Sequence, residues 1–460
     1  MTFSDYIDYL RGKRIGVIGF GVSNQPLVRV LLRNGCDVTV CDRRERAQLG
    51  AAGDEAAAQG AKFALGADYL EHLDFDVIFR TPGVLPIVPQ LRKAAQNGAI
   101  LTSEMEAFCN LCPCRILAIT GSDGKTTTST ITAELLRAQG YTVHLGGNIG
   151  TPLFDRIADI RPDDFAVLEL SSFQLHSMHC APDVAIITNI SPNHLDVHPD
   201  FEDYVSAKCS IYRGQRPDGV LVLNARDAHT PRFAAEAPGS VRYFSSIGPV
   251  ENGVYCSDGV IYRAHGDEAE KLIDVSDIRI PGAHNVENYM AAFAATDGLV
   301  GQAACVQVAR SFAGVPHRME RIRELNGITF INDSIASSPT RTIAGLHALP
   351  KPPVIILGGH DKHIPFDELG DEVCLHAKAA VVVGETAQRI AAAIRASKFY
   401  APGKLPLVEA PDFRAAVEMA YRLAQPGDTV TLSPACSSFD FFKNFAERGD
   451  TFRAIVEGLQ

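Results

Sequence analysis

The chain has 460 residues, of which 46% are apolar and 21% are charged, and its formal net charge at pH 7 is −11. This composition is that of an ordinary folded protein, and it excludes a disordered chain, a fibre and a coiled coil. The acidic balance also argues against a general attraction to nucleic-acid phosphates or anionic membranes, so an anionic ligand needs local cations and backbone N–H groups.

The amino-terminal segment, MTFSDYIDYLRGKR, lacks the apolar core of a signal peptide, and no apolar run reaches the length that crosses a bilayer. The eleven cysteines are scattered along a long chain, which favours reduced thiols over a disulfide framework. Cys109, Cys112 and Cys114 form the only cluster in the sequence, and no fourth zinc ligand follows nearby. We therefore expect a cytoplasmic protein.

Short apolar runs, mostly β-branched, alternate with amphipathic stretches along almost the whole chain. Such runs are typical of strands that are buried on both faces of a parallel sheet. The stretches between them, such as TTSTITAELLRAQG, have helical spacing and end at glycine. This alternation predicts an α/β architecture. The predicted strands are 14–19, 37–41, 115–120, 165–170, 184–189, 353–359 and 380–384.

The length predicts about three domains. Residues 1–105 form one alternating unit, residues 106–314 form a second, and a third covers residues 315–460. Within the second unit, residues 235–280 contain short strands, several glycines and charges, which predicts a small antiparallel addition.

The first predicted strand runs into GFGVSN, residues 19–24, which resembles the dinucleotide-binding fingerprint. Asn24 stands where the fingerprint has its third glycine, and Asp42 ends the second strand, where an acidic residue contacts a ribose. The pattern favours a nucleotide-like pocket without a redox cofactor, and a purely structural turn stays open as the alternative.

The strongest motif is TGSDGKTT, residues 120–127, between a predicted strand and a predicted helix. Glycines allow backbone N–H groups to face an anion, and the helix N-terminus adds the positive end of a dipole. Lys125 would place a cation on the phosphates, and the Thr126 hydroxyl suits Mg²⁺. Only two residues separate Gly121 from Gly124, so this is a shortened phosphate-binding loop.

A carboxylate downstream of this loop is predicted to share its site. Glu169 lies near the carboxyl end of the strand at 165–170. This is the edge where ligands bind in α/β sheets, and a carboxylate there can hold Mg²⁺ directly or through water.

The loop after the next strand carries His194, Asp196 and His198. Histidines with a nearby aspartate at this sheet edge indicate a metal-binding or proton-handling role. Lys208 follows in YVSAKCSIY, and on its own it would be an ordinary charged residue on a helix.

Further polar residues follow strands or begin helices in the rest of the chain. Individually they carry little information, but Lys362 and the segment 433–445 both follow strands and are predicted to face one cleft. The others are Asn285, Asn288, Arg318, Asp333 and Lys443.

Together these segments resemble the Mur ligases, the ATP-dependent amide-forming enzymes of peptidoglycan precursor synthesis, over nearly the whole chain. The resemblance is carried by TGSDGKTT, GGNIGTP, ELSSFQL, HLD, AKCSIY, HNVEN, PHRME, IND, LGG-x-DK and SPACSSFDFFKNFAERG. It implies three α/β domains, each built on a mainly parallel sheet with helices on both faces. The first would be Rossmann-like and bind the UDP end of the substrate, the second would bind ATP through the phosphate loop, and the Rossmann-like third would bind the incoming amino acid.

Within the family, SSFQL and SPACSS…FKNF…RG are particular to the members that add D-glutamate to UDP-N-acetylmuramoyl-L-alanine. The resemblance therefore implies these two substrates together with ATP, two Mg²⁺ ions, an acyl-phosphate intermediate, and ADP and phosphate as products. It also implies closure of the last domain over the other two. We expect a monomer.

The resemblance assigns residues position by position. Those implied for the UDP-substrate are Val22, Ser23, Asp42, Arg44, Thr81, Pro82, Gly83 and Asn148. Those for ATP are Gly121, Ser122, Asp123, Gly124, Lys125, Thr126, Thr127, Asn285, Asn288, Arg318 and Asp333. Those for D-glutamate are Ser337, Lys362, Ser438, Phe439 and Phe445. The implied metal ligands are Thr126, Glu169, His194 and a carbamylated Lys208, and the implied catalytic residues are Lys125, His194 and Lys208.

The segment after Asp333 departs from the family, which usually has a lysine where this chain has Ile335. The change removes a cation near the predicted D-glutamate site, so that charge must come from another residue or be dispensed with. Ser337 replaces a threonine and keeps its hydroxyl, and Phe439 stands where a leucine is frequent.

Three alternatives stay open on the sequence alone. They are a Mur-type ligase for L-alanine or a diamino acid, a nicotinamide-dependent oxidoreductase built on the first domain, and a nucleotide-binding regulatory protein without chemistry. Lys362 and the segment around Ser438 favour a dicarboxylate acceptor, Asn24 disfavours the oxidoreductase, and the polar groups downstream of the phosphate loop disfavour the regulatory protein.

Overall fold

The computed structural model describes residues 1–192, 197–280, 282–361 and 364–460. The chain forms two compact units, Met1–Phe312 and Ala313–Gln460. Within the described ranges, none of the helices combines the length and the apolar character needed to span a membrane.

The first sheet of the first unit has five strands, and each is paired in parallel with its neighbours. The strands are β1 (Arg14–Ile18), β2 (Asp37–Asp42), β3 (Lys62–Leu65), β4 (Val77–Arg80) and β5 (Ile100–Thr102), in the order β3-β2-β1-β4-β5. The accompanying helices are α1 (Phe3–Leu10), α2 (Asn24–Arg33), α3 (Gly50–Ala58), α4 (Pro89–Gln96) and α5 (Glu104–Leu111). Val17 packs into one hydrophobic core and Ile18 into another, so β1 is buried on both faces.

The second sheet of this unit has nine strands. They are β6 (Arg115–Thr120), β7 (Val143–Gly147), β8 (Phe165–Glu169), β9 (Val184–Ile187), β10 (Val220–Asn224), β11 (Ser240–Ser245), β12 (Asn252–Ser257), β13 (Val260–His265) and β14 (Glu268–Asp274). Their order is β14-β13-β12-β11-β10-β9-β6-β8-β7. The helices are α6 (Lys125–Ala138), α7 (Ser172–Leu175), α8 (Phe201–Arg213), α9 (Thr230–Glu236), α10 (Ala283–Ala295) and α11 (Gln302–Ser311). The antiparallel pairs β12–β13 and β13–β14 lie at one edge, which confirms the predicted antiparallel addition.

The second unit is built on a six-stranded sheet. Its strands are β15 (Glu320–Leu325), β16 (Ile328–Asn332), β17 (Val354–Leu357), β18 (Ala379–Val382), β19 (Leu407–Glu409) and β20 (Thr429–Leu432). Their order is β15-β16-β20-β17-β18-β19, and every pair except β15–β16 is parallel. The helices are α12 (Pro339–Ala348), α13 (Asp367–His376), α14 (Ala387–Ala396), α15 (Phe413–Leu423) and α16 (Phe445–Glu457).

The predicted α/β class, with three mainly parallel sheets flanked by helices, is confirmed. All seven predicted strands are present, with ends shifted by at most two residues. The division of the chain into two compact units falls between residues 312 and 313. The division into three domains, with boundaries after residues 105 and 314, stays a prediction.

Candidate active site

The phosphate loop connects β6 to α6 at the carboxyl end of the central sheet. Gly124, which precedes the first residue of α6, has a φ of 79°, and Gly121 has a φ of 147°. A Cβ atom on Gly124 would overlap Oδ1 of Asn288, and one on Gly121 would overlap Oγ1 of Thr188. Both positions therefore require glycine, because the backbone conformation and the close neighbours exclude a side chain.

Hydrogen bonds to the segment after β9 hold the loop in shape. The backbone N–H groups of Ser122 and Asp123 donate to the carbonyl and the side-chain oxygen of Asn189, each at 2.9 Å. Thr188 Oγ1 donates to the Asp123 carbonyl at 2.6 Å. The Ser122 hydroxyl lies 2.9 Å from the Tyr204 hydroxyl on α8. The loop is thus pre-organised, which lowers the cost of ordering it around an anion.

Two lysine side chains converge on this loop. Lys125 Nζ donates to the carbonyl oxygens of Gly121 at 3.0 Å and Ser122 at 2.9 Å. Lys208, which is almost fully buried on α8, donates to the same Gly121 oxygen at 2.7 Å. Burial lowers the pKa of the Lys208 ammonium well below its ordinary value, and the charge of Lys125 lowers it further. The site therefore favours an uncharged Lys208 amine.

Glu169 ends β8 at the same edge of the sheet, and its side chain is buried. Its Oε1 atom accepts a hydrogen bond from Asn148 Nδ2 at 2.9 Å. Among the described residues its Oε2 atom has no hydrogen-bond partner. A buried carboxylate oxygen without a partner is costly, and a hard cation such as Mg²⁺ would satisfy it. The residues present therefore fit a magnesium ion.

The amides predicted to contact ATP lie on α10, beside the helix that follows the loop. Asn288 Oδ1 accepts a hydrogen bond from Thr128 Oγ1 at 3.2 Å, and Asn288 Nδ2 donates to Asn285 Oδ1 at 3.2 Å. Asn288 also borders Gly124. Asn288 is therefore tied directly to α6, and Asn285 is tied to it through Asn288.

His194 and Asp196 lie outside the described residues, but His198 is described and is buried. One of its ring nitrogens lies 2.7 Å from Asp203 Oδ2, and the other lies 3.0 Å from Ser172 Oγ. Its ring also stacks on Phe173 with 5.5 Å between centroids. His198 therefore joins α7 to α8, and its carboxylate partner among the described residues is Asp203, which the sequence analysis did not single out.

The turn after β1 is closed by an ion pair. Asp42 Oδ2 accepts a hydrogen bond from the Phe20 N–H at 2.7 Å, and Arg44 Nη2 donates to Asp42 Oδ2 and to the Phe20 carbonyl, each at 2.9 Å. Burial alone would raise the pKa of Asp42, but the hydrogen bonds from Arg44 and from backbone N–H groups outweigh it and lower the pKa to about 2. Asn24, which stands in the place of the fingerprint's third glycine, donates through Nδ2 to the carbonyls of Ile18 and Gly19 at 3.2 and 2.8 Å and is thereby tied to the turn.

Other predicted UDP-substrate residues surround this turn. The Val22 side chain is 75% exposed, and Ser23 precedes α2. The Thr81 backbone N–H donates to Ile18 O at 2.9 Å, which brings the 81–83 segment to the end of β1. Asn148 lies apart from this turn, at the nine-stranded sheet, where its side chain donates a hydrogen bond to Glu169.

Arg80 ends β4 and is a buried residue that the sequence analysis missed. Its guanidinium donates to the carbonyls of Thr81 and Val84 at 3.4 and 3.3 Å. It also donates to the Phe173 carbonyl at 3.2 Å and to Ser177 Oγ at 2.7 Å. Burial lowers the pKa of Arg80 to about 10. The only sequence signal was its place directly before Thr81-Pro82-Gly83.

In the second unit, Asp333 follows β16 and is buried. Its carboxylate accepts hydrogen bonds from Ser433 Oγ at 2.8 Å and from the Met319 N–H at 3.2 Å. Burial raises the pKa of Asp333 to about 6, although these bonds and nearby Arg318 oppose the rise. Arg318 itself is exposed.

The segments predicted to bind D-glutamate follow the neighbouring strands β16 and β20. Ser337 is half-buried, Ser438 is buried, and the Phe439 and Phe445 side chains are exposed. Arg448, which was not singled out from the sequence, joins these segments: it donates to the carbonyls of Ser334 at 2.9 Å and Ser437 at 3.1 Å. Lys362 lies outside the described residues.

A cation does lie beside the position where the family lysine is missing. Arg341, on α12, donates through Nη1 to the carbonyl of Ile335 at 3.3 Å. Its charge also lowers the pKa of Asp333, against the larger effect of burial.

The chain is similar in sequence to known proteins over its whole length. Residues 119–296 match the Mur ligase middle domain, and residues 317–436 match the Mur ligase, glutamate ligase domain. The chain is 45% identical over 461 residues to the UDP-N-acetylmuramoylalanine--D-glutamate ligase of Acetivibrio thermocellus, with 99% of both chains covered. It is 44% identical over 459 residues to the enzyme of the same name from Clostridium kluyveri, with 100% of this chain and 99% of that protein covered.

The fold is similar to that of solved amino-acid-adding ligases. The structure of UDP-N-acetylmuramate-alanine ligase from Thermotoga maritima matches with a TM-score of 0.54 at 17% identity, covering 97% of this chain and 98% of that one. The chain therefore belongs to the Mur ligase family. It is a ligase, and among family members it is similar to those that carry D-glutamate in their name.

Proposed function

We propose that the chain is the ATP-dependent ligase that adds D-glutamate to UDP-N-acetylmuramoyl-L-alanine in peptidoglycan precursor synthesis, in the cytoplasm and as a monomer. The observation that carries the proposal is the group at one sheet edge: a pre-organised phosphate loop, two lysines on the Gly121 carbonyl, and a buried Glu169 oxygen without a partner among the described residues. The names of relatives at 45% and 44% identity support the choice of both substrates.

The chemistry follows from the weakness of a carboxylate as an electrophile. A carboxylate oxygen of the substrate attacks the γ-phosphorus of ATP, the bond between that phosphorus and the β–γ bridging oxygen breaks, and ADP leaves. The amine of D-glutamate then attacks the carbonyl carbon of the acyl phosphate, loses a proton, and inorganic phosphate leaves from the tetrahedral intermediate. The first step brings anions together, so Lys125 at the loop would stabilise charge on the transferring group.

Thr126, Glu169, His194 and Lys208 are the residues proposed to hold the magnesium ions. When bound, Mg²⁺ would neutralise charge on the phosphates. A neutral Lys208 amine can add to CO₂ and lose a proton, which gives a carbamate with anionic oxygen ligands. The lowered pKa of Lys208 supports this modification, because an ammonium cannot react in this way.

The attacking amine must be uncharged, so a base is needed. Three groups are the candidates for this base: His194, the carbamate of Lys208 and a phosphate oxygen. On the nucleotide side, Asn285, Asn288, Arg318 and Asp333 are proposed to contact ATP, and Asp42 and Arg44 are proposed to contact the uridine diphosphate.

For D-glutamate, we propose the residues Ser337, Lys362, Ser438, Phe439 and Phe445. Arg341 is proposed to supply the cation that Ile335 lacks, since its guanidinium reaches the Ile335 carbonyl. Arg341→Ala should raise KM for D-glutamate about two- to fivefold and leave KM for ATP unchanged, as expected for an exposed charge. An unchanged KM for D-glutamate would show that the charge is not replaced by this residue.

The decisive experiment measures phosphate release from ATP with UDP-N-acetylmuramoyl-L-alanine, with and without D-glutamate. Sustained release only when D-glutamate is present is expected. A panel containing L-alanine, L-lysine and a diaminopimelate in place of D-glutamate separates the rival ligases, and turnover with one of these instead would overturn the proposed acceptor.

A further inference from the structure

Two groups of described residues bring metal-ligating side chains together, and they differ in openness. His176, His198 and Asp203 form one group, and His347, Glu372 and His376 form the other. In the first group His198 is buried and both of its ring nitrogens are engaged, by Asp203 and Ser172. The first group therefore serves packing between α7 and α8. The second group is open to solvent and engages no residue of the proposed reaction.

In the second group, the two histidine side chains converge on one oxygen atom of Glu372. His347 lies in the last turn of α12, and Glu372 and His376 lie one turn apart on α13. The Nε2 atoms of His347 and His376 lie 2.6 and 3.3 Å from the same Oε2 atom of Glu372. The two imidazole rings are 4.7 Å apart and inclined at 73°, so they present their nitrogens from different directions.

These distances are close to those around a bound metal. In a tetrahedral zinc site with bonds of about 2.0–2.2 Å, neighbouring ligand atoms lie about 3.3–3.5 Å apart. The contact between His376 and Glu372 already has this length, and that between His347 and Glu372 would open by somewhat less than an ångström. All three side chains are partly exposed, at 49%, 24% and 46%, so small rotations of this kind meet no packed core.

The surroundings also favour a cation. A surface cavity of about 300 Å³ is lined by Leu346, His347, Leu349 and His376, which leaves room for an ion and its waters. The sequence of α13, DELGDEVCLH, carries four carboxylates that lower the potential around the group. Two imidazoles with one carboxylate are ligands for zinc and similar transition metals and not for Mg²⁺ or Ca²⁺, which prefer oxygen.

We propose that His347, Glu372 and His376 form a binding site for a divalent transition metal of the zinc class. Ligation would clamp the C-terminal end of α12 to α13. The other half of α12 is already fixed, because Thr342 Oγ1 donates to the Ser433 carbonyl at 3.1 Å. Metal binding would therefore stabilise the second compact unit, independently of the proposed reaction.

The test titrates Zn²⁺ into the full, untagged chain by calorimetry, with excess Mg²⁺ present to occupy oxygen sites. Glu372→Gln and the double variant His347→Ala/His376→Ala are compared with the unmodified chain. His265→Ala is the matched control, because it removes an exposed histidine that has a single carboxylate neighbour, Asp297, at 3.6 Å. The unmodified chain and the control are expected to bind one more equivalent of Zn²⁺ than the double variant. Glu372→Gln is expected to bind that equivalent at least about tenfold more weakly.

A second measurement separates this site from the cysteines and from any loss of folding. Co²⁺ bound at His347, Glu372 and His376 should give ligand-field bands without a thiolate charge-transfer band, and Zn²⁺ should raise the melting temperature of the unmodified chain and of His265→Ala only. Without metal, all four proteins should melt at similar temperatures, because the altered side chains are partly exposed. Equal Zn²⁺ stoichiometry and affinity in all four proteins, or a cobalt spectrum that the double variant retains, would overturn the proposal.

Discussion

Two glycine-rich turns of the first compact unit share a backbone plan and differ in charge. One follows β1 and leads into α2, and the other follows β6 and leads into α6. Around the first turn, Asp42 and Arg44 form an ion pair, and both also hydrogen-bond to the backbone of Phe20. Around the second, two lysines share one carbonyl oxygen while a buried glutamate oxygen has no partner among the described residues.

The difference shows how one local fold can serve two tasks. The ion pair at the first turn orders the backbone and adds little net electrostatic potential. This suits a ligand group that is bound and not chemically changed. The charge of Lys125, beside a buried Lys208 whose uncharged form is favoured, raises the electrostatic potential at the second turn, which suits a group that gains charge as it is transferred. The following variants test this division, from the largest expected effect to the smallest.

Lys125→Ala should have the largest effect, because it removes the cation at the second turn. Phosphate release is expected to fall about 10²- to 10³-fold, the usual loss of one group that stabilises developing charge. Arg137→Ala, an exposed residue in the last turn of the same helix, is the control and should keep full activity. Near-normal turnover of the Lys125 variant would refute the assignment of the phosphate loop.

Lys208→Ala should lose about 10² in turnover and regain part of it when a short carboxylic acid is added, because the acid would supply the missing anionic oxygens. Lys208→Arg is the informative partner variant: it introduces a permanent cation that cannot form a carbamate, and it should stay inactive without rescue. Full activity of either variant would contradict the proposed carbamylation of Lys208.

Arg44→Ala should change binding at the first turn and not the chemistry. KM for the uridine-diphosphate substrate is expected to rise about tenfold, which corresponds to about 1.4 kcal/mol, while kcat changes little. Arg43→Ala, at the exposed neighbouring position, controls for a general loss of positive charge. A drop in kcat with unchanged KM would place Arg44 in the wrong role.

Asp42→Asn should have the smallest effect, on stability. The folded pKa of Asp42 is about 2, below the value near 3.8 of a free aspartate, so its contribution is present above pH 4 and is lost as pH falls towards 2. We expect the variant to be less stable by about 1–2 kcal/mol at pH 7. The difference in melting temperature between the two proteins should shrink between pH 5 and pH 3, and a gap that widened instead would contradict the sign of the shift.

The strands and the main site residues could be predicted because their signals are local. Apolar runs mark buried strands, and TGSDGKTT places Lys125 by its own spacing. The buried arginines Arg80 and Arg448 could not be found in this way, because each also bonds a residue far away in the sequence: Phe173 lies 93 residues from Arg80, and Ser334 lies 114 residues from Arg448. The same holds for the pKa of Lys208, which depends on burial and on a lysine of another helix.

His198 shows a second limit of prediction from the sequence. Its neighbours in the sequence suggested a metal or proton role, but the fold directs its two ring nitrogens to Asp203 and Ser172. Spacing alone could not rank Asp196 and Asp203 as partners, since both lie within a few residues of the histidine.

Arg80 has a consequence for how ligands influence one another. Among the described residues no carboxylate forms an ion pair with this buried cation, and its hydrogen bonds are divided between the 81–84 turn and the 173–177 segment. Separating the two would leave a dehydrated charge without partners, which is costly enough to make them move as one piece. In the proposed function residues 81–83 hold the nucleotide sugar, so ordering of that turn should also order the 173–177 segment. By thermodynamic reciprocity, a ligand that orders this segment should tighten the hold on the sugar to the same degree.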